Sequence, residues 1–155
     1  KFALDFLLDD LDEKVIFLDL NLREGFYDVR DVGYVLERIN YLKLNEKETF
    51  FLRENKMIKG LTIEDMAKNL IENYHLKACC ISLGERGAVG GNENGVFKIE
   101  GISKKNGGDS VGCGDAFAGT WLANLLKGKT LEESLITANQ IGSKVASQRG
   151  AIVEI

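Results

Sequence analysis

The sequence predicts an α/β fold built on a largely parallel sheet. Between residues 15 and 83, short apolar runs alternate with one-faced helical patterns, the order that parallel strands and their crossover helices produce. With no proline, low-complexity tract or internal repeat in 155 residues, nothing resembles a linker, and one domain spanning residues 1–155 is expected. A Gly-x-Gly turn opens a helical pattern late in the chain, and sheets of this class bind ligands at the carboxyl ends of their strands.

Residues 15–20 form a short apolar run that ends in Asp19 and Leu20, as expected of a strand buried on both faces. Val32, Val35, Leu36 and Ile39 follow at helical spacing, with Asp28 or Asp31 placed to cap. Residues 41–44 predict a second brief strand. Ile63, Met66, Ala67, Leu70, Ile71 and Tyr74 make one face of a helix behind a Thr62/Asp65 capping box. Residues 78–83 predict a third strand, closed by the turn Gly84-Glu85-Arg86-Gly87. Two extended pieces across residues 88–102, separated by Gly91-Asn92-Glu93-Asn94-Gly95, predict a hairpin. Two helices finish the pattern. The first runs from the Gly112-Cys113-Gly114 turn to Gly128, with Phe117, Trp121, Leu122, Leu125 and Leu126 as its stripe. The second starts at a Thr130/Glu133 capping box and turns Leu135, Ala138, Ile141, Gly142 and Val145 inward.

A net charge of −4 argues against nucleic acid or an anionic membrane as partner, since both reward a basic face. No apolar run is long enough to span a bilayer, and no signal peptide opens the sequence. The three cysteines include the adjacent Cys79 and Cys80 and show no metal-ligand spacing, which fits a reducing cytoplasm. The single histidine, His75, sits at the end of a helical pattern and is expected to serve the helix terminus.

The chemistry concentrates at residues 109–119. Gly112 and Gly114 before a helix present closely spaced backbone N–H groups to an anion, and the helix dipole adds positive potential there. Asp115, in the first turn, stands beside that anion site and is available to accept a proton. An anion cradle next to a base suits phosphoryl transfer to a hydroxyl, where positioning and charge stabilisation do most of the work. A glycine turn with an Asp helix cap has the same local pattern, so both readings stand on these residues alone.

The segment Asp109-Ser-Val-Gly-Cys-Gly-Asp-Ala-Phe resembles the C-terminal signature of the ribokinase-like (PfkB) carbohydrate kinase family, Asp-Thr-x-Gly-Ala-Gly-Asp-x-Phe. Further segments agree in order. Asp19-Leu-Asn-Leu-Arg23 is similar to the family's Asp-Pro-Asn-x-Arg strand end, and Asn45-Glu-Lys-Glu48 to its Asn-x-x-Glu motif. Ser82-Leu-Gly-Glu-Arg-Gly87 is similar to its Thr-x-Gly-x-x-Gly turn, and residues 138–151 to its closing helix and Gly-Ala turn. Within the family, the stretch from Asn21 to Tyr27 and the Ser-Val-Gly sequence most resemble fructokinases.

The resemblance implies a three-layer α/β/α ribokinase-like fold with a C-terminal β-hairpin, the N-terminal part and lid being absent. It implies ATP-dependent phosphorylation of a sugar hydroxyl with Mg²⁺. Asp115 would be the general base, and the backbone of Gly112, Cys113 and Gly114 the anion hole. Asn45 would serve the phosphates, and Glu48 would serve Mg²⁺ through water. Ser82, Gly84 and Gly87 would line the nucleotide, with Asn139 beside the adenine. Asp19, Asn21 and Arg23 would face the acceptor. Asp109 and the Val111 carbonyl resemble a monovalent-cation site, so K⁺ joins the implied cofactors. Residues 1–12 would form the helix before the Asp19 strand, and the full-length protein is expected to be a homodimer of the cytoplasm.

Cys113 stands where the family has a small residue, either as simple filling or as a thiol that makes the activity sensitive to alkylation. Lys104 and Lys105 form a solvated pair or border the nucleotide. Three other functions fit parts of the pattern: a non-catalytic nucleotide- or metabolite-binding module, a nucleoside kinase of the same fold, and a dinucleotide-binding protein. The last is disfavoured because its glycine turn belongs after the first strand of a βαβ unit.

Overall fold

A computed structural model describes residues 15–23, 25–102 and 111–147. The expected helix over residues 1–12, Asp109, the Lys104–Lys105 pair and the Gly-Ala turn after residue 147 lie outside them.

Five strands form one sheet in chain order: β1 (Phe17–Asp19), β2 (Tyr41–Asn45), β3 (Ala78–Ser82), β4 (Ala88–Asn92) and β5 (Gly95–Ile99). β1, β2 and β3 run parallel, while β4 and β5 add the hairpin antiparallel to β3. The helices are α1 (Val29–Leu36), α2 (Glu46–Glu54), α3 (Ile63–Tyr74), α4 (Cys113–Leu126) and α5 (Leu131–Ala146).

Alternation along the strands sends side chains into two cores, one on each face. In β3, Cys79 and Ile81 pack with Leu42 and Leu44 against Leu36 of α1, Leu52 of α2 and Leu70 of α3. Ala78 and Cys80 point the other way, to Phe117 and Trp121 of α4 and Leu135 and Ala138 of α5. Helices on both faces of the sheet make the three layers expected. Among the described residues no helix is long and apolar enough to cross a membrane.

The local predictions hold with small shifts. Asp28, not Asp31, caps α1, accepting from the N–H of Arg30 at 2.8 Å. Both predicted capping boxes form, at Thr62/Asp65 and Thr130/Glu133. His75 closes α3 in a left-handed conformation (φ 52°). The 84–87 turn is a 3₁₀ turn over Gly84–Arg86, and the hairpin loop is tighter than expected, because Asn92 and Gly95 already pair across the ladder. The sequence pattern predicts no helix over α2. Its buried positions, Glu48, Thr49 and Leu52, mix polar and apolar side chains and leave no apolar stripe to read.

Candidate active site

The carboxyl ends of β2 and β3 place Asn45 and Ser82 side by side in register, with Asp19 at the end of β1 two residues back, opposite Lys43. Above them starts α4. Its N-cap is Gly112, held at φ 76°, a residue with no side chain of its own to cap with. Among the described residues the other four α-helices each have a side-chain cap, from Asp28, Asn45, Thr62 and Thr130. Asp115 does not act as a cap. Its carboxylate is exposed in the first turn, with no hydrogen bond or ion pair among the described residues. A helix start of this kind presents positive potential to an anion.

Beside this helix start lies a cleft of about 210 Å³. Six residues predicted from the sequence line it: Ser82, Gly84, Gly87, Cys113, Gly114 and Asn139. The 84–87 turn needs its glycines. Gly87 has φ 95°, and a methyl group there would come within 2.0 Å of the Ile99 carbonyl oxygen. Ser82 is fixed by donating from Oγ to the Leu44 carbonyl at 3.2 Å, and Asn139 by donating from Nδ2 to the Glu100 carbonyl at 2.8 Å.

Asn45 and Glu48 form a third capping box. The Asn45 side-chain oxygen accepts from the N–H of Glu48 at 3.0 Å, and Glu48 accepts from the N–H of Asn45 at 2.7 Å. The other oxygen of the buried Glu48 accepts from the N–H of Leu22 at 3.0 Å, which ties the segment after β1 to the start of α2. The Asn45 side-chain N–H₂ keeps no partner among the described residues. Asn21 turns that segment through a left-handed conformation (φ 42°), and both Asn21 and Arg23 are exposed away from the cleft. Val111 is exposed just before Gly112.

Three residues of this region went unrecognised as site residues. Gly142, read only as an inward helix position, lets α5 approach the start of α4, for a methyl group there would lie 3.3 Å from both the Cys113 carbonyl oxygen and Phe117 Cβ. Ser143 lines the cleft one residue on. Lys43, 8% exposed, binds both Asp19 oxygens at 3.0 Å through its ammonium. A lysine inside an otherwise apolar strand was the signal for it.

Mg²⁺ fits these residues only as an ion held chiefly by phosphate and water. Among the described residues no three acidic, histidine or cysteine side chains cluster, and both Glu48 oxygens already accept backbone N–H groups.

Known structures share this architecture. A ribokinase II of E. coli superposes with a TM-score of 0.79 at 24% identity, covering 96% of this chain and 48% of that one. A ribokinase of Thermotoga maritima gives 0.74 at 24% identity, over 94% and 47%. A nucleoside kinase of Burkholderia thailandensis, solved with inosine, gives 0.74 at 20% identity, over 93% and 46%. These likenesses carry the ribokinase-like fold, and this chain spans about half the length of the proteins it matches. In sequence, residues 9–155 match the pfkB family carbohydrate kinase profile, and the chain belongs to that family.

Proposed function

We propose that this chain supplies the ATP side and the base of a kinase that phosphorylates a hydroxyl of a sugar or nucleoside. The start of α4 at Gly112, beside a cleft and with an exposed carboxylate in its first turn, supports this reading most strongly. Such a helix start attracts the phosphoryl group that passes from donor to acceptor. In the transfer, the acceptor hydroxyl gives its proton to Asp115 while its oxygen bonds to the γ-phosphorus. The bond from that phosphorus to the β,γ-bridging oxygen breaks, and ADP leaves with the electron pair.

The backbone of Gly112, Cys113 and Gly114 faces the phosphoryl oxygens in this scheme. The side-chain N–H₂ of Asn45 donates to the phosphates, and Ser82, Gly84, Gly87 and Asn139 receive the nucleotide along the cleft. Glu48 would hold Mg²⁺ through water, and the ion would supply charge neutralisation on the phosphates. Asp19, Asn21 and Arg23 lie on the acceptor side. A related E. coli structure contains ATP and Mg²⁺, and the B. thailandensis enzyme contains inosine, so both acceptor classes belong in the test.

The test is ATP turnover by the full-length protein with fructose, ribose and inosine as acceptors. ADP release that depends on one acceptor, with a phosphorylated product, is expected. ATP binding without transfer to any acceptor would make the site a nucleotide-binding module instead.

A further inference from the structure

Lys43 is placed where neither strand propensity nor stability calls for a charge. Its neighbours Leu42 and Leu44 are fully buried in the core under α1, α2 and α3, so Lys43 points to the opposite face, as does its register partner Cys80. There its ammonium meets the Asp19 carboxylate at 3.0 Å through both oxygens. A buried ion pair of this kind rarely stabilises a fold more than apolar residues of the same volume.

The direction of the pair gives it a use. A methyl group placed on Gly114 would meet Lys43 Nζ at 3.7 Å and no other described atom within 4 Å. The positive end of the pair thus lies against the start of α4, and the Asp19 oxygens lie farther off. A cation beside a helix N-terminus is ordinarily unfavourable, because the helix end is itself positive. Two positive potentials meeting at one point suit a place where negative charge arrives during reaction.

We propose that Lys43 is a positioning residue of the phosphoryl site: clamped by Asp19, it holds a buried positive charge behind Gly114, opposite the N–H groups that face the transferring phosphoryl group. This rests on the kinase reading given above. Lys43 exchanges no proton with the substrate in this scheme. Its charge offsets the negative charge that shifts onto the phosphoryl oxygens and the departing ADP.

The experiment compares wild type, Lys43→Met, Asp19→Asn and the double variant in the full-length protein. It reads kcat with the preferred acceptor and the ATP Kd without acceptor. Lys43→Met is expected to lower kcat on the order of 100-fold, the scale of losing one donor of an anion hole, with the ATP Kd changed less than about threefold. Should an unpaired Asp19 prevent Lys43→Met from folding, the double variant carries no buried charge, and its kcat is expected to fall at least about tenfold below that of Asp19→Asn. Binding of ADP with aluminium fluoride, a mimic of the transferring group, should weaken in parallel. A lower melting temperature with unchanged kcat in these comparisons would leave Lys43 a purely structural ion and overturn the proposal. Wild-type protein that transfers phosphate to no acceptor would overturn the kinase reading first, and this inference with it.

Discussion

Cys113 is half-buried on the wall of the cleft, whereas Cys79 and Cys80 are wholly enclosed in the two cores. Burial pushes the Cys79 thiol up to about 12 and the Cys80 thiol well above its ordinary value. Since the thiolate is the reactive form, neither core cysteine should react in the folded protein. Iodoacetamide is therefore expected to label Cys113 alone, more slowly with ATP present, and to abolish phosphoryl transfer. Full activity after complete labelling would show that the cleft is not the nucleotide site. Gly87→Ala tests the turn across the same cleft. Its backbone conformation is nearly closed to side chains, a strain of about 1–3 kcal/mol, and the clash with the Ile99 carbonyl adds to it. A clear drop in melting temperature should follow. The positions of these glycines and of Asp115 were legible in the sequence, because glycines at turn spacing next to strand and helix patterns fix where they fall. Lys43 was not, because its meaning depends on the face of β2 it points from and on what lies above it.

The same contrast holds for whole elements. Thr62 and Thr130 close their capping boxes through 3.0 and 3.2 Å bonds to the N–H groups of Asp65 and Glu133. Replacing either by Ala should cost about 1 kcal/mol in denaturant unfolding. In each box the hydrogen bonds from Thr to the acidic partner hold that carboxyl below its ordinary value. A carboxyl lowered in the folded state stabilises the protein above its unfolded value and stops doing so as pH falls through the folded one. Stability should thus hold at neutral pH and decline below about pH 4, where ordinary carboxyls begin to take protons, and the two Ala variants should decline less. An acid profile identical in wild type and variants would contradict this. Capping boxes and apolar stripes were readable because they are local. α2 was not, because its buried positions include Glu48, whose partner Leu22 lies 26 residues away.

At the scale of the molecule, two cores on opposite faces of one sheet bring the ends of three parallel strands under the start of α4. The alternation of strands and helices made the layered α/β class legible, because it follows from burying both faces of the sheet. The close approach of α5 to α4 was not legible, because only the packed structure shows how tightly a methyl group on Gly142 would meet Cys113 and Phe117. Gly142→Ala should push the two helices apart at the cleft and raise the ATP Kd more than it lowers the melting temperature. This chain spans about half the length of the proteins it matches. The most direct test of the site is therefore one that the acceptor does not confuse: single-turnover phosphoryl transfer by the full-length Asp115→Asn variant beside its ATP Kd. An unprotonatable, neutral amide at the base should abolish transfer, by at least about 100-fold, while ATP binds as in wild type. An Asn variant that transfers phosphate at the wild-type rate would remove Asp115 from the chemistry and leave α4 as an anion-binding helix start only.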